Sequence, residues 1–326
     1  MEYRRLGKSG LEVSALSLGS WLTFGKQISD ETALDLMKNA YDNGINFFDN
    51  AEIYARGRSE IVMGECIKKL GLARDTFVVS SKVFWGGDKP NQTGLSRKRV
   101  FEACHAALKR FQLDYLDLYF CHRADPNTPI EETVWAMNDL IKQGKILYWG
   151  TSEWSSQQIM EAFMVARQHN LIPPTMEQPE YNLFHRYRFE VEYARIFSEM
   201  GYGSTTWSPL ASGVLSGKYN SGFPEGTRLG IEGLEWLKEK TLLEERVEKT
   251  IRFGKLAGDL GATSAQLALA WCLKNPHVST VITGASKTAH LLDNLKAVDV
   301  ASKIQQAEMD EIELIMQTSP NAIGNH

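Results

Sequence analysis

A short apolar strand, a loop and an amphipathic helix follow one another repeatedly along the chain, and this repeat most strongly limits its fold. Eight segments are short, rich in Val, Ile, Phe and Tyr, and often apolar throughout. Strands that are covered on both faces, as in a parallel sheet, have this composition. We therefore predict strands at Ala15–Gly19, Asn46–Asp49, Phe77–Ser81, Tyr115–Cys121, Ile146–Thr151, Thr175–Gln178, Gly203–Trp207 and Thr280–Thr283.

Helices are predicted between these strands, and several begin with a recognisable signal. A capping box, which is Ser or Thr followed three residues later by Glu or Gln, occurs at Thr128 and Glu131, at Ser155 and Gln158, and at Thr263 and Gln266. Strands and helices alternate without a linker rich in Gly, Pro or Ser. The pattern predicts an α/β fold, a closed (β/α)8 or TIM barrel, formed as a single domain by residues 1–326.

Two segments lie outside the plain repeat. We predict that Tyr3–Val13 forms an N-terminal β-hairpin, turning at Lys8–Gly10, across the bottom of the barrel. The connection Ser208–Ser279 is too long for one helix and contains several glycines. We therefore expect extra helices in this C-terminal part and a loop that closes over a ligand.

Composition and charge restrict the partners of the chain. Its 326 residues carry a net charge of −4, so no basic face is required. Nucleic acid and anionic membranes are thereby disfavoured as main partners. No apolar run approaches the ~20 residues of a spanning helix, and the N-terminus lacks the apolar core of a signal peptide. We expect a cytoplasmic protein without membrane insertion.

Cysteine and histidine spacing gives no sign of a disulfide framework or a metal site. The four cysteines are scattered among apolar residues and form no CxxC pair, and the seven histidines form no HxxxH or HExxH pattern. Reduced, buried thiols and the absence of a bound metal are therefore expected.

Ionisable side chains of different types follow adjacent predicted strands. Asp49 ends the second strand and Tyr54 lies in the loop after it, Lys82 follows the third strand, and His122 follows the fourth. In (β/α)8 barrels the reactive groups stand at the carboxyl ends of the strands. Singly, each of these residues has an ordinary structural explanation; their coincidence on one rim indicates a catalytic site.

Proton transfer to a carbonyl oxygen is the chemistry that suits these four side chains. The free pKa of tyrosine, ~10, is too high for ready proton exchange near neutrality. An adjacent ammonium, here Lys82, is expected to lower the pKa of Tyr54, while Asp49 keeps that lysine charged and oriented. His122 would hydrogen-bond the carbonyl oxygen and fix its direction.

At this point the sequence resembles the aldo-keto reductase superfamily over nearly its full length, and within it the branch containing potassium-channel β subunits. The resemblance is carried by Asn46–Tyr54 (NFFDNAEIY), Lys82–Gly87 (KVFWGG), Asp125–Val134 (DPNTPIEETV), Tyr148–Ser152 (YWGTS), Glu177–Asn182 (EQPEYN), Trp207–Gly213 (WSPLASG) and Gln266–Cys272 (QLALAWC). It implies a catalytic tetrad of Asp49, Tyr54, Lys82 and His122, with Tyr54 as acid and base. Animal channel subunits have asparagine at the fourth position, so the histidine here resembles the plant and bacterial reductases.

The same resemblance implies NADP(H), bound without a Rossmann loop, and no GxGxxG sequence is present. The cofactor-binding positions that it implies are Ser20, Trp21, Gln27, Asp49, Ser152, Gln178, Trp207, Ser208, Pro209, Leu210, Ala211, Ser212, Gly213, Lys218, Arg228, Gly284, Ser286, His290, Asp293 and Asn294. Backbone amides after Gly284 are suited to phosphate, with Lys218, Arg228 and Lys287 as nearby cations. Trp207 is expected to cover the nicotinamide ring.

Three positions depart from the channel branch. His290 and Asp293 stand where that branch has Gln and Glu, and Glu153 stands where it has arginine. A carboxylate beside the adenosine or diphosphate is expected to weaken NADPH binding, so the preference over NADH is less firmly implied than the cofactor itself.

The predicted function is the NADPH-dependent reduction of an aldehyde or ketone, a small-molecule carbonyl. Phe84, Trp85 and Trp21 suggest an aromatic-lined mouth suited to apolar aldehydes or ketones. The predicted substrate-binding residues are Trp21, Tyr54, Phe84, Trp85 and His122. The alternative is a nucleotide-binding regulatory β subunit of a voltage-gated potassium channel with incidental turnover. A barrel hydrolase with paired carboxylates, Asp49 with Glu52 or Glu177, leaves Lys82 and His122 without roles. The oligomeric state stays open between the tetramer of the channel branch and the monomer of many relatives.

Overall fold

A β-hairpin and a closed barrel form the frame of the molecule. The computed structural model describes residues 1–224 and 227–320, without the side chain of Arg228. The hairpin pairs β1 (Tyr3–Arg5) antiparallel with β2 (Glu12–Ser14). Among the described residues, eight parallel strands then close into a barrel in chain order: β3 (Leu16–Gly19), β4 (Phe47–Asp49), β5 (Val78–Val83), β6 (Leu116–Cys121), β7 (Ile146–Thr151), β8 (Met176–Glu177), β9 (Gly203–Thr206) and β10 (Thr280–Thr283). The predicted (β/α)8 barrel is confirmed.

Helices surround the barrel and follow most of its strands. The first five connect β3 to β8 in turn: α1 (Asp30–Asp42), α2 (Arg58–Leu70), α3 (Arg97–Phe111), α4 (Ile130–Lys142) and α5 (Ser156–Gln168). Two π-helical turns, Arg188–Glu192 and Ile196–Met200, lie between β8 and β9. The extra C-terminal helices are α6 (Glu235–Thr241), α7 (Glu244–Asp259), α8 (Ser264–Lys274), α9 (Thr288–Leu295), α10 (Ala297–Lys303) and α11 (Gln306–Met316). None of the described helices has the length and apolar character that crossing a membrane requires.

Two of the three predicted capping boxes are confirmed, at the starts of α5 and α8. The third, at Thr128, is wrong. The Thr128 hydroxyl donates to Asp125 Oδ2 at 2.7 Å, and α4 begins at Ile130 after Pro129 without a side-chain cap. Asp125 also accepts from the backbone amides of Leu95 and Asn127. A carboxylate that already organises this loop is a strong acceptor, and it holds the hydroxyl away from the helix.

The hairpin closes the end of the barrel at which the strands begin, as predicted. Arg4 Nη1 donates to the carbonyl of Val278, just before β10, at 2.9 Å. Lys8 N donates to the carbonyl of Gly201, just before β9, at 2.8 Å. Leu6 and Val13 are fully buried and pack into the barrel interior. The opposite end, where the strands finish, is thereby left as the open end.

The barrel interior is apolar near the hairpin and polar near the open end. Its apolar cluster consists of Leu6, Val13, Phe47, Val78, Leu118, Phe120, Met176 and Ile282. Side chains two residues apart on a strand point to the same face. Residues that follow a strand member of this cluster by two or four positions therefore point into the open end. Many of these residues are polar, among them Asp49, Lys82 and His122.

Glu177 is a buried carboxyl group on the opposite, outward-facing side of β8 from the interior residue Met176. It is fully buried on β8, and its Oε2 accepts from the Thr151 hydroxyl. Burial raises the pKa of Glu177 from 4.5 to about 8, and Glu153 adds repulsion, while the Thr151 hydrogen bond acts in the opposite direction. The carboxyl group is therefore mostly protonated at neutral pH.

Replacing this group should change how stability depends on pH. Because the folded-state pKa of Glu177 is raised, the wild-type chain has its full stability from this group below about pH 4.5 and loses it as pH rises towards about 8. Relative to Glu177→Gln, its free energy of unfolding should fall by about 2–4 kcal/mol between these limits. Urea unfolding at several pH values measures this difference. The exposed control Glu161→Gln should show no such pH-dependent difference, and a parallel pH dependence of wild type and Glu177→Gln would contradict the prediction.

Candidate active site

Four polar side chains of the predicted site come from the carboxyl ends of four barrel strands. Asp49 follows Phe47 by two residues, Lys82 follows Val78 by four, and His122 follows Phe120 by two, in each case on the interior face. Gln178 follows the interior residue Met176 in the same way. Period-two alternation on β4, β5, β6 and β8 thus directs these four side chains into one space.

Lys82 and Asp49 form a buried ion pair at the base of this space. Lys82 Nζ lies 2.8 Å from each oxygen of Asp49 and 2.7 Å from the carbonyl oxygen of Asn50. Lys82 is 0% exposed and Asp49 is 3% exposed. The carboxylate also accepts from Ser80 Oγ at 2.8 Å and from Gln178 Nε2 at 3.0 Å. Burial lowers the pKa of Lys82, and the Asp49 carboxylate opposes that shift.

Tyr54 is held above this pair by a tight turn after β4. Its backbone amide donates to Ala51 O at 3.0 Å, and the following Ala55, Arg56 and Gly57 all have left-handed φ angles of 48°, 52° and 85°. Non-glycine residues adopt this conformation at a cost, and such strain concentrates at functional sites. The turn places the Tyr54 hydroxyl 3.4 Å from Lys82 Nζ.

The expected lowering of the Tyr54 pKa is wrong for this arrangement. Burial raises the pKa of the phenol well above its ordinary value of 10.0, and the negative charge of Asp49 raises it further. Lys82 is paired with that carboxylate, so the negative charge of Asp49 offsets the effect of the ammonium on the pKa of Tyr54. Tyr54 is consequently a neutral hydroxyl at rest, which is the state that a proton donor requires.

His122 packs against Tyr54 and Trp85 beside the ion pair. The His122 ring lies edge-on to Tyr54 and to Trp85, with centroid separations of 6.1 Å and 5.1 Å. Burial, with the positive charges of Lys82 and Arg123, lowers the pKa of His122 well below 6.5. The imidazole is therefore neutral, and the described residues supply no hydrogen-bond partner for its buried Nδ1.

A cavity of about 870 Å³ opens over these residues. This volume is within the usual range of ~300–1,000 Å³ for small-molecule sites. Tyr54, Trp85 and His122 line it, and so do these predicted cofactor positions: Trp21, Gln27, Asp49, Ser152, Gln178, Trp207, Ser208, Pro209, Leu210, Ser212, Gly213, Lys218, Gly284, Ser286 and His290. Residues from distant parts of the sequence thus meet around one space.

Several residues predicted to bind cofactor or substrate do not line the cavity. Ser20 is buried and its hydroxyl donates to the Asp49 carbonyl oxygen at 2.9 Å, while Ala211 and Asn294 are buried side chains. Asp293 accepts from Gln266 Nε2 at 2.8 Å. The Phe84 ring packs edge-on against Trp85, with centroids 4.9 Å apart, so it supports the wall rather than forming it. Arg228, also predicted, lies outside the described side chains.

Sequence reasoning gave no binding role to several further cavity residues, among them Arg123, Glu180, Trp236 and Lys240. They lie after β6, after β8 and on α6, so only folding brings them here. Position just after a strand was the one sequence signal for Arg123 and Glu180, and Trp236 and Lys240 had none. No group of three His, Cys, Asp or Glu side chains within the described ranges is arranged to bind a metal.

Glu153 has a role that its sequence position did not reveal. Its Oε1 accepts from the Trp207 indole at 3.1 Å and from the Glu180 amide at 2.6 Å, and its Oε2 pairs with Arg188 at 2.6 Å. The carboxylate is therefore satisfied by protein groups. Because it holds the indole N–H, it fixes the plane of Trp207 against the cavity.

The far end of the cavity has the backbone features of a phosphate-binding site. Left-handed φ angles occur at Ser208, Ala211, Ser212 and Gly213, in the segment after β9. Gly284–Lys287 leads from β10 into α9, whose first turn has no side-chain cap. Uncapped amides at a helix N-terminus are suited to an anionic group. The residues present therefore fit a phosphate-bearing dinucleotide.

The chain is similar to known proteins over nearly its whole length. A profile described as "Aldo/keto reductase family" matches residues 15–316. A relative from Arabidopsis thaliana, named "Probable voltage-gated potassium channel subunit beta", is 49% identical over 321 residues, with 98% of each chain covered. A relative of the same name from Oryza sativa subsp. japonica has the same identity and coverage. The resemblance predicted from the motifs is confirmed: this chain belongs to the aldo/keto reductase family.

Proposed function

We propose that this protein reduces small-molecule aldehydes or ketones to alcohols with NADPH, in the cytoplasm. The observation that carries the proposal is the neutral Tyr54 hydroxyl 3.4 Å from a buried ammonium, at the wall of a cavity of about 870 Å³. When bound, the nicotinamide group supplies the hydride. The protein's own residues must then deliver a proton and stabilise the charge that its departure leaves.

Tyr54 is the proposed proton donor. As negative charge develops on the carbonyl oxygen, the phenol gives up its proton and becomes a phenolate 3.4 Å from Lys82 Nζ. The ammonium, held by Asp49 and by the Asn50 carbonyl, does not need to move to stabilise that phenolate. Stabilisation that appears mainly in the transition state accelerates the reaction, whereas equal stabilisation of the ground state does not.

His122 is the proposed group that directs the carbonyl oxygen. Its lowered pKa keeps the ring neutral, so it can donate one hydrogen bond without competing as an acid. Trp85 and Tyr54 both pack edge-on against it. Two polar hydrogens would thus converge on one oxygen, and this fixes the orientation of the carbonyl.

The proposed cofactor site extends from this wall to α9. Ser152, Gln178 and Trp207 line the cavity together with the backbone segments that suit phosphate. Lys218 lines the same cavity, as do Lys287 and His290 at the start of α9. These cationic or ionisable side chains favour the 2′-phosphate of NADPH over NADH.

The alternative is a regulatory subunit that binds nucleotide and docks on a potassium channel. The names of the two plant relatives favour it. Cofactor binding is common to both functions, so it does not separate them. Steady-state reduction of a test aldehyde supports the reductase, whereas co-purification with a channel in the absence of turnover supports the regulatory subunit.

The Tyr54→Phe substitution tests the proton donor. It removes the hydroxyl and keeps the ring, so NADPH should still bind while kcat for aldehyde reduction falls by about 10²–10⁴-fold. Cofactor binding is measured by quenching of tryptophan fluorescence and turnover by NADPH absorbance. Tyr41→Phe, remote from the cavity, is the control. Near-wild-type turnover of Tyr54→Phe would refute the role of Tyr54.

The Lys218→Met substitution tests the cofactor assignment. Loss of a charge beside the 2′-phosphate should raise the KM for NADPH about tenfold and leave that for NADH nearly unchanged. Initial rates with both cofactors at one aldehyde concentration give this ratio. Lys255→Met on the exposed face of α7 should not change it. An equal rise for both cofactors would place Lys218 away from the 2′-phosphate.

A further inference from the structure

Arg123 differs from most buried or half-buried arginines of the described chain. Five others are held in ion pairs with carboxylates: Arg74 with Asp117, Arg99 with Glu52, Arg110 with Glu60, Arg186 with Glu190 and Glu313, and Arg188 with Glu153. Arg123 is half-buried, and within the described ranges it makes no ion pair. A cation that is partly removed from water without a counter-ion is unusual, and it needs an explanation.

The guanidinium stands on the substrate wall of the cavity. Arg123 directly follows His122, and its guanidinium carbon lies 5.3 Å from the centre of the Trp85 ring. That ring is itself 5.1 Å from the ring of His122. Arg123, Trp85, His122 and Tyr54 all line the same space. A cation therefore faces the position at which the carbonyl group must bind.

Only one end of the guanidinium is engaged by the protein. Nη1 donates to the His122 carbonyl oxygen at 2.5 Å and, at 3.5 Å, to Ser152 Oγ. Nε and Nη2 hydrogen-bond no described residue, and neither is a buried unpartnered atom. These two nitrogens form one edge of the planar fork, with the geometry that accepts both oxygens of a carboxylate.

We propose that Arg123 binds a carboxylate on the substrate, so the preferred substrates are aldehydes or ketones that carry a carboxylate group. This rests on the reductase function proposed above. Trp85 and Trp21, together with Ile53, give the same cavity an apolar surface for the part of the molecule between carbonyl and carboxylate. The Nη1 contacts hold the guanidinium in place, and the free edge receives the anion.

If Arg123 had only a structural role, its substitution would affect charged and neutral substrates alike. Its Nη1 contacts connect the end of β6 to the end of β7, and loss of such a brace would impair all substrates equally. A carboxylate-binding residue instead affects only substrates that carry the charge. The ratio of kcat/KM for a charged and a neutral substrate separates the two roles, because a general loss of activity cancels in it.

The test compares 4-carboxybenzaldehyde with its methyl ester, which has the same reacting group without the charge. Wild type should prefer the carboxylate in kcat/KM, and Arg123→Gln should lower that preference by about tenfold. Arg123→Lys should retain part of it, since it keeps the charge and loses the bidentate edge. The control Arg167→Gln removes an exposed arginine that lies over the Phe163 ring at 4.9 Å, outside the cavity, and should leave the ratio unchanged.

Binding of the product, 4-(hydroxymethyl)benzoate, to wild type and Arg123→Gln in the presence of NADP⁺ is measured by isothermal titration. We expect about tenfold weaker binding to the variant. If wild type reduces neither aldehyde but this difference in binding appears, the reductase proposal fails and the carboxylate site stands. If the ratio and the binding are both the same in wild type and Arg123→Gln, the carboxylate site is overturned and Arg123 is a brace.

Discussion

The buried pair of Lys82 and Asp49 is the interaction on which the site depends. Burying an ammonium and a carboxylate costs several kcal/mol for each ion unless the geometry is good and the remaining hydrogen bonds are made. Here both conditions hold, because Nζ reaches two carboxylate oxygens and the Asn50 carbonyl, and the carboxylate accepts from Ser80 and Gln178. Asp49 and Lys82 lie on the neighbouring strands β4 and β5, whereas Gln178 follows β8. Closure of the barrel therefore supplies the last hydrogen bond to the pair.

The same pair determines how Tyr54 can act. An isolated ammonium beside a phenol would lower its pKa and leave part of it ionised at rest. A lysine already bound to Asp49 does not do so, and burial raises the pKa of Tyr54, with the Asp49 carboxylate adding to the rise. Tyr54 is therefore neutral at rest, and in the proposed reaction the fixed ammonium at 3.4 Å would become most effective only when the proton leaves. Preorganised charge of this kind is a main source of catalytic stabilisation.

The sequence predicted the barrel and the polar side chains that meet at its open end because both depend on local pattern. Apolar strands with polar residues just beyond them specify which side chains meet at the open end, as the placement of Asp49, Lys82 and His122 shows. What it could not predict depended on partners distant in the chain. The Thr128 hydroxyl donates to Asp125 instead of capping α4, and the Lys82 ammonium is paired with Asp49. A local sequence pattern does not show which of several possible partners such a hydroxyl or ammonium will bind.

Glu153 shows how such competition changes an interpretation. On sequence grounds its carboxylate was expected to oppose the cofactor phosphates. In the structure its oxygens are bound by Trp207, Arg188 and the Glu180 amide, so the charge is neutralised and instead fixes the indole. Arg123 is the converse case, because it lines the cavity with a charge that no described carboxylate pairs with. The strands thus hold the groups proposed to react, while the loops after β6 and β7 determine which charges remain available to a ligand.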